Sequence, residues 1–109
     1  MIRVDALWLS MRPLDMRAGT DSILARVVEV FGEARPHHAY LFANRRANRM
    51  KVLVHDGQGI WLATRRLNQG RFCWRQADAT AELTRPQFDA LILGLPWERL
   101  ADGGVIRIL

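Results

Sequence analysis

"FANRRANRMKVLVHDGQGIWLATRRL", residues 42–67, mixes arginines with a strand–turn–strand pattern. It holds Arg45, Arg46, Arg49, Lys51, Arg65 and Arg66 against a single acid, Asp56. Such a run would suit a solvated loop, but it is threaded with strand formers and tight-turn glycines. "RMKVLVH" (49–55) and "IWLATRR" (60–66) read as two strands, and "HDGQG" between them carries Asp-Gly, a strong hairpin signal. Upstream, "AYLFANR" (39–45) reads as a further strand turned into the next by "RANR". Downstream, "RFCWR" (71–75) reads as a short fourth strand after "LNQG". The local expectation is an antiparallel meander of about four strands.

Working outward, "VDALWLS" (4–10) predicts a short strand that Pro13 ends. In "DSILARVVEVF" (21–31), Ile23, Leu24, Val27, Val28 and Phe31 recur at helical spacing. Thr20 or Asp21 can supply its N-cap, and Gly32 suits the position just past its end. A second helix opens at Thr84, with Gln87 at capping-box spacing, Pro86 in the first turn, and Phe88, Leu91, Ile92 and Leu95 as its apolar face. "RPHHA" and "RQADATAE" read as loops, and the tail "GGVIRIL" as a final strand. The expected fold is α+β, a single domain over 1–109, with the meander covered by two helices packed on one face.

Side chains alternate across a strand with period two. One assembly puts Met50, Val52, Val54, Ile60, Leu62, Phe72 and Trp74 against the helices. Arg49, Lys51, Arg65, Arg71 and Arg75 then share the outer face, with Trp61 among them. The sheet is expected to be one-sided, with a positive wet side.

The charge balance agrees. Net charge is +5, but residues 35–75 hold nine bases and one acid, a local +8, while the rest carries seven bases and ten acids, −3. Eight of the nine are arginine, whose planar fork suits phosphate and guanine edges. Such asymmetry suggests a polyanion or an acidic protein partner. The functional reading is a nucleic-acid surface in which Arg45, Arg46, Arg49, Lys51, Arg65, Arg66, Arg71 and Arg75 contact phosphates and Trp61 stacks or wedges. The plainer reading is a solvated face, since basic residues also guard sheet edges.

At 109 residues and half hydrophobic, the chain can bury a core. Cys73 is the only cysteine, so no disulfide framework exists. With no signal peptide and no apolar run near the length of a membrane span, a soluble cytoplasmic protein without a membrane partner is expected.

No set of residues assembles into an active site, so no enzyme, cofactor or metal is expected. His37 and His38 are adjacent in a loop and project differently, with no third ligand nearby in sequence. Asp56 before Gly57 is an ordinary turn residue. Asp15 could cap a turn or bind Arg12 or Arg17. Cys73, between Arg71 and Phe72 on one side and Trp74 and Arg75 on the other, reads as structural. A small metal-dependent nuclease would need acids such as Asp15 and Asp56 to converge.

Three blocks carry a resemblance: "RPLDMRAGTDSILARVVEVFG", "YLFANRRANRMKVLVHDGQGIWLATRRLNQGRFCW" and "LTRPQFDALILGL". Over roughly residues 7–95 the chain resembles the accessory TnpB-type protein of the insertion sequence 66 transposon family. Asp15, Met16 and Arg17 match that family's early segment. Asn44, Arg45, Arg46, Arg49, Lys51, Arg65, Arg66, Arg71 and Trp74 match its basic blocks, and Asp56, Gly57, Gly59 and Trp61 its turn. "HDG" departs from the aromatic usual before Asp-Gly. The resemblance implies a non-catalytic transposition accessory, encoded beside a separate acidic-triad transposase. Its expected partner is DNA, with transposon ends as the candidate site. The alternative is an adaptor that docks on the transposase protein. Exposed sheet edges leave a homodimer open.

Overall fold

A computed structural model describes residues 2–99. The expected strand at 103–109 lies outside them. Five strands, β1 (Ala6–Ser10), β2 (His38–Ala43), β3 (Arg49–His55), β4 (Ile60–Arg66) and β5 (Thr80–Leu83), form one sheet in the order β4-β3-β2-β1-β5. Two helices, α1 (Thr20–Phe31) and α2 (Arg85–Ile92), complete the α+β fold with a short 3₁₀ turn at Trp97–Arg99.

The hairpin of β3 and β4 forms with the bounds that its alternation and Asp-Gly turn predict. The sheet corrects the four-stranded antiparallel meander in three ways. First, it is mixed: β1 runs parallel to β2, and the remaining neighbours are antiparallel. A parallel pair needs a crossover rather than a tight turn, and α1 lies in that crossover. Second, a fifth strand forms at 80–83, where a loop is expected, by pairing with β1. Third, residues 71–75 are not a strand. Phe72 and Trp74 are buried and Arg71, Cys73 and Arg75 exposed, as the alternation predicts. The segment's amides bond elsewhere, however: Phe72 N–H donates to the Ala47 carbonyl at 2.7 Å and Ala77 N–H to that of Met11 at 3.2 Å. It crosses the end of the sheet and delivers the chain to β5 on the far side.

The helices sit on opposite faces, not on one. On one face Ile23 and Val27 of α1 pack on Tyr40, Phe42 and Leu53, with Leu14 buried beside them. On the other, Ala90 and Leu91 of α2 join Leu9, Leu41, Met50, Phe72, Trp74 and Trp97. β2 is therefore covered on both sides, which is why "AYLFA" is a continuous apolar run rather than an alternating one.

Gly32 ends α1 with φ 90°, a conformation that L side chains rarely adopt. Gly19, rather than Thr20 or Asp21, occupies its N-cap, without a side-chain bond. The capping box of α2 forms as predicted: Thr84 Oγ1 accepts from Gln87 N–H at 3.2 Å and Gln87 Oε1 from Thr84 N–H at 2.8 Å. Leu95 lies beyond α2 and is exposed. Thr84→Ala is expected to cost about 1 kcal/mol, read as a lower urea midpoint at unchanged slope.

Candidate nucleic-acid interface

The arginines gather at one end of the sheet rather than on one face. β1 and β2 end there at Ser10 and Ala43, β3 starts at Arg49, and β4 ends at Arg66. The parity of the β3–β4 turn explains the difference. His55 pairs with Ile60 across a connection of residues 56–59, so Arg49 pairs with Arg66, Met50 with Arg65, and Leu53 with Leu62. Directly paired residues share a face, and a shift of one would exchange the faces. Arg49, Lys51, Leu53, Leu62 and Arg66 therefore lie on the α1 side. Met50, Val52, Trp61, Ala63 and Arg65 lie on the α2 side. The expected grouping of Met50, Val52 and Val54 with Ile60 and Leu62 is overturned, as is the single face of Arg49, Lys51, Arg65, Arg71 and Arg75.

The β2–β3 connection carries the centre of the basic end. Asn44 Oδ1 accepts from the amides of Asn48 and Arg49, both at 3.1 Å, and Ala47 N–H donates to the Asn44 carbonyl at 3.0 Å. Asn favours such turns because its side chain satisfies nearby backbone groups. Ala47 holds φ 56°, unusual for a residue with a Cβ. Its methyl is buried, and its carbonyl takes the Phe72 amide. Leu67 N–H donates to the Asn48 carbonyl at 3.0 Å, and Gln76 Nε2 to that of Arg45 at 2.5 Å. Three bonds from the 67–76 segment thus clamp the turn and leave Arg45 and Arg46 exposed. They also bring Arg71 and Arg75 to the same end.

The loop after β1 closes the other side. Leu14 N–H donates to the Ala43 carbonyl at 2.9 Å. Pro13–Arg17 with Asn44, Arg45, Arg46 and Arg49 then line an open cleft of about 470 Å³. Arg17 Nη2 meets Asp15 Oδ2 at 2.7 Å, and its amide donates to Oδ1 at 2.9 Å. These bonds, side chain first, hold the Asp15 carboxyl down at about 2. A depressed carboxylate pKa makes the contact complete above the ordinary value of 3.8 and loses it as pH falls towards 2, so Asp15 and Arg17 are paired at neutral pH. The matched early segment and the matched basic block, far apart in sequence, thus meet in one cleft. Alternation alone would not have found Arg17 there; the paired blocks of the resemblance are the signal that points to it.

Among the described residues, the guanidinium groups of Arg45, Arg46, Arg49, Arg66 and Arg71 have no hydrogen-bond acceptor or ion-pair partner. Arg49 and Arg66 stand directly opposite each other, an arrangement that like charges destabilise. Other predicted residues are already engaged. Lys51 is half-buried, with Nζ donating to the Ala18 carbonyl at 3.0 Å. Arg65 Nε donates to the Ile92 carbonyl at 2.6 Å, at the end of α2 where cations are favoured. Arg75 lies 3.9 Å from Glu98, an exposed pair of little strength.

Trp61 stands apart. It lies near the opposite end of β4, its indole N–H donating to Asp56 Oδ2 at 2.7 Å. Asp56 Oδ1 accepts from the amides of Gln58 and Gly59, and these bonds lower its pKa. Asp56 is thus the organiser of its turn. Asp15 and Asp56 lie at opposite ends of β3 and do not form the paired carboxylates of a metal nuclease. No helix among the described residues is long and apolar enough to cross a membrane.

The model of the family described as IS66 Orf2-like protein matches residues 5–102. The uncharacterized protein y4hO of Sinorhizobium fredii is 36% identical over 94 residues, covering 84% of this chain and 81% of that one. The uncharacterized protein y4jC of the same organism is 27% identical over 104 residues, covering 93% and 88%. No solved structure matches the chain.

Proposed function

The chain belongs to the IS66 Orf2-like family, which implies an accessory role in IS66 transposition, and we propose that it fills this role by binding DNA non-catalytically at the basic end of its sheet. The observation that carries this reading is the convergence of Arg45, Arg46, Arg49, Arg66 and Arg71 without acidic partners among the described residues. Charges this close repel one another, and phosphates relieve that repulsion. Each guanidinium offers a fork that matches phosphate oxygens, and each phosphate it neutralises releases condensed counterions. Arg75 is close enough to contribute. Lys51 and Arg65 act mainly as internal ties, and Trp61, at the other end of β4 with its indole N–H held by Asp56, is left out of this surface.

The test is a salt titration of binding, by fluorescence anisotropy, to duplexes of the element's terminal repeat and of scrambled sequence. Five phosphate contacts predict a log-log slope of about −4.5. A gap between the duplexes would assign the surface to end recognition. Absence of binding to either duplex at low salt would overturn the reading in favour of an adaptor that docks on the transposase protein. Nuclease-resistant co-purification with the transposase would then be the result to seek.

Asp15→Asn gives a separate check. It removes a negative charge from the cleft and releases Arg17. Duplex affinity is expected to rise about tenfold at 0.1 M salt, with the slope steeper by about one unit.

A further inference from the structure

Far from the arginines, Trp8, Phe31, His38 and Tyr40 surround a cavity of about 210 Å³, with Glu33 and Arg35 completing its lining. It lies on the α1 face at the end where β2 begins, whereas the basic turn follows the end where β2 stops. Trp8 and Tyr40 are register neighbours on β1 and β2, His38 precedes Tyr40 by two residues on the same face, and Phe31 is the last residue of α1. The four rings form a closed circuit. Centroids are 6.1 Å apart for Trp8 and Phe31, 5.1 Å for Phe31 and Tyr40, 6.4 Å for Tyr40 and His38, and 6.3 Å for His38 and Trp8. A point at the middle of such a circuit lies well inside the roughly 6 Å reach of a cation–π contact.

The polar groups of these rings are already committed. Trp8 Nε1–H donates to His38 Nδ1 at 3.0 Å. The Tyr40 hydroxyl accepts from Arg35 N–H at 2.9 Å and donates to the Glu33 carbonyl at 3.2 Å. The cavity wall is thus largely aromatic, with few free polar groups on the rings. The helix end beside it favours a cation. The cavity adjoins the C-terminal, negative end of the α1 dipole, whose last turn has no basic residue, and Glu33 stands at its rim. Arg35 is held by Glu33, and among the described residues no guanidinium or ammonium lies over these four rings.

We propose that this aromatic box is a binding site for an organic cation, an alkylammonium or guanidinium head group. Its volume is below the roughly 300–1,000 Å³ of pockets for drug-sized ligands, so it takes a head group and not a whole larger molecule. Such a head can come from a small free cation or from a basic side chain of a partner protein.

The experiment follows the Trp8 indole N–H by NMR, assigned with Trp8→Phe, during titration of the whole chain with choline, N-acetyl-arginine amide and 3,3-dimethylbutan-1-ol, the uncharged isostere of choline. Saturable shifts with a cation are expected, with choline at least about fivefold tighter than the alcohol. Glu33→Gln, at an exposed position, is expected to weaken cation binding about two- to fivefold. Tighter binding of the arginine derivative than of choline assigns the site to a partner's side chain, and the reverse order to a free cation. Alcohol binding as tight as choline binding, or no saturable shift with either cation, overturns the proposal. Glu33 is remote from the basic end, so Glu33→Gln leaves duplex binding unchanged and the two readings fail separately.

Discussion

Replacing Arg45, Arg46 and Arg49 together with alanine is expected to lower duplex affinity about 10²–10³-fold at 0.1 M salt. Each phosphate neutralised on B-DNA contributes about 0.9 to the log-log salt slope. Over the decade from 1 M to 0.1 M, each contact is therefore worth nearly tenfold, and three contacts several hundredfold. The slope itself should become shallower by about 2.7. The loss should be equal on terminal-repeat and scrambled duplexes, because phosphate contacts carry no sequence information. It should also shrink as salt rises and nearly vanish at 1 M. A loss confined to the terminal repeat would reassign these residues to base edges, and a loss independent of salt would point to a misfolded variant. Folding should survive. All three side chains are exposed, and none makes a hydrogen bond within the described chain. Removing Arg49 also relieves its like-charge pairing with Arg66.

The second large effect is on stability. Phe42→Ala is expected to lower the unfolding free energy by about 3–5 kcal/mol, a large part of a typical total of about 5–15 kcal/mol. Phe42 is fully buried on β2 between β1 and β3, in the cluster with Ile23, Val27, Tyr40 and Leu53, and its ring meets that of Phe31 edge-on at 6.4 Å. With α1 above and a strand on either side, the site cannot collapse to fill the space. Urea unfolding should show the lower midpoint at unchanged slope. Trp61→Ala provides the contrast. The indole is larger but 53% exposed, and its partner Asp56 keeps two backbone bonds without it. The cost of Trp61→Ala is expected to stay below about 1.5 kcal/mol, read from the same urea titration.

Local signals were the reliable ones. Alternation and Asp-Gly bounded β3 and β4, and Thr84 with Gln87 marked the start of α2, because these features depend on residues within a few positions of one another. The inward Phe72 and Trp74 are also legible, although their segment is not a strand. Alternation reports which side chains share a side, not which strand, if any, receives the amides. β5 was missed because "TAEL" has too little apolar content to announce itself and becomes a strand only by pairing with β1.

At the basic end, the density of positive charge, the scarcity of nearby acids in sequence and the kinship of the blocks are all readable from the residues alone. Which bases stand together depends on how the folded chain brings distant segments into contact. Two long-range facts decide it: the path of residues 67–77 across the sheet end and the docking of 13–17 against the β2–β3 turn, while the parity of the 56–59 turn, a local feature, sets which of them share a face. The folded chain also ties Lys51 and Arg65 to backbone carbonyls and brings Arg17 in, whereas Trp61 stands at the far end of β4 by its place in the strand. The physical reason is that period-two alternation fixes facing only within a strand. Facing between the two strands of a hairpin is set by the length of its turn, and which distant segments meet the hairpin is chosen by the whole sheet as it buries both of its faces.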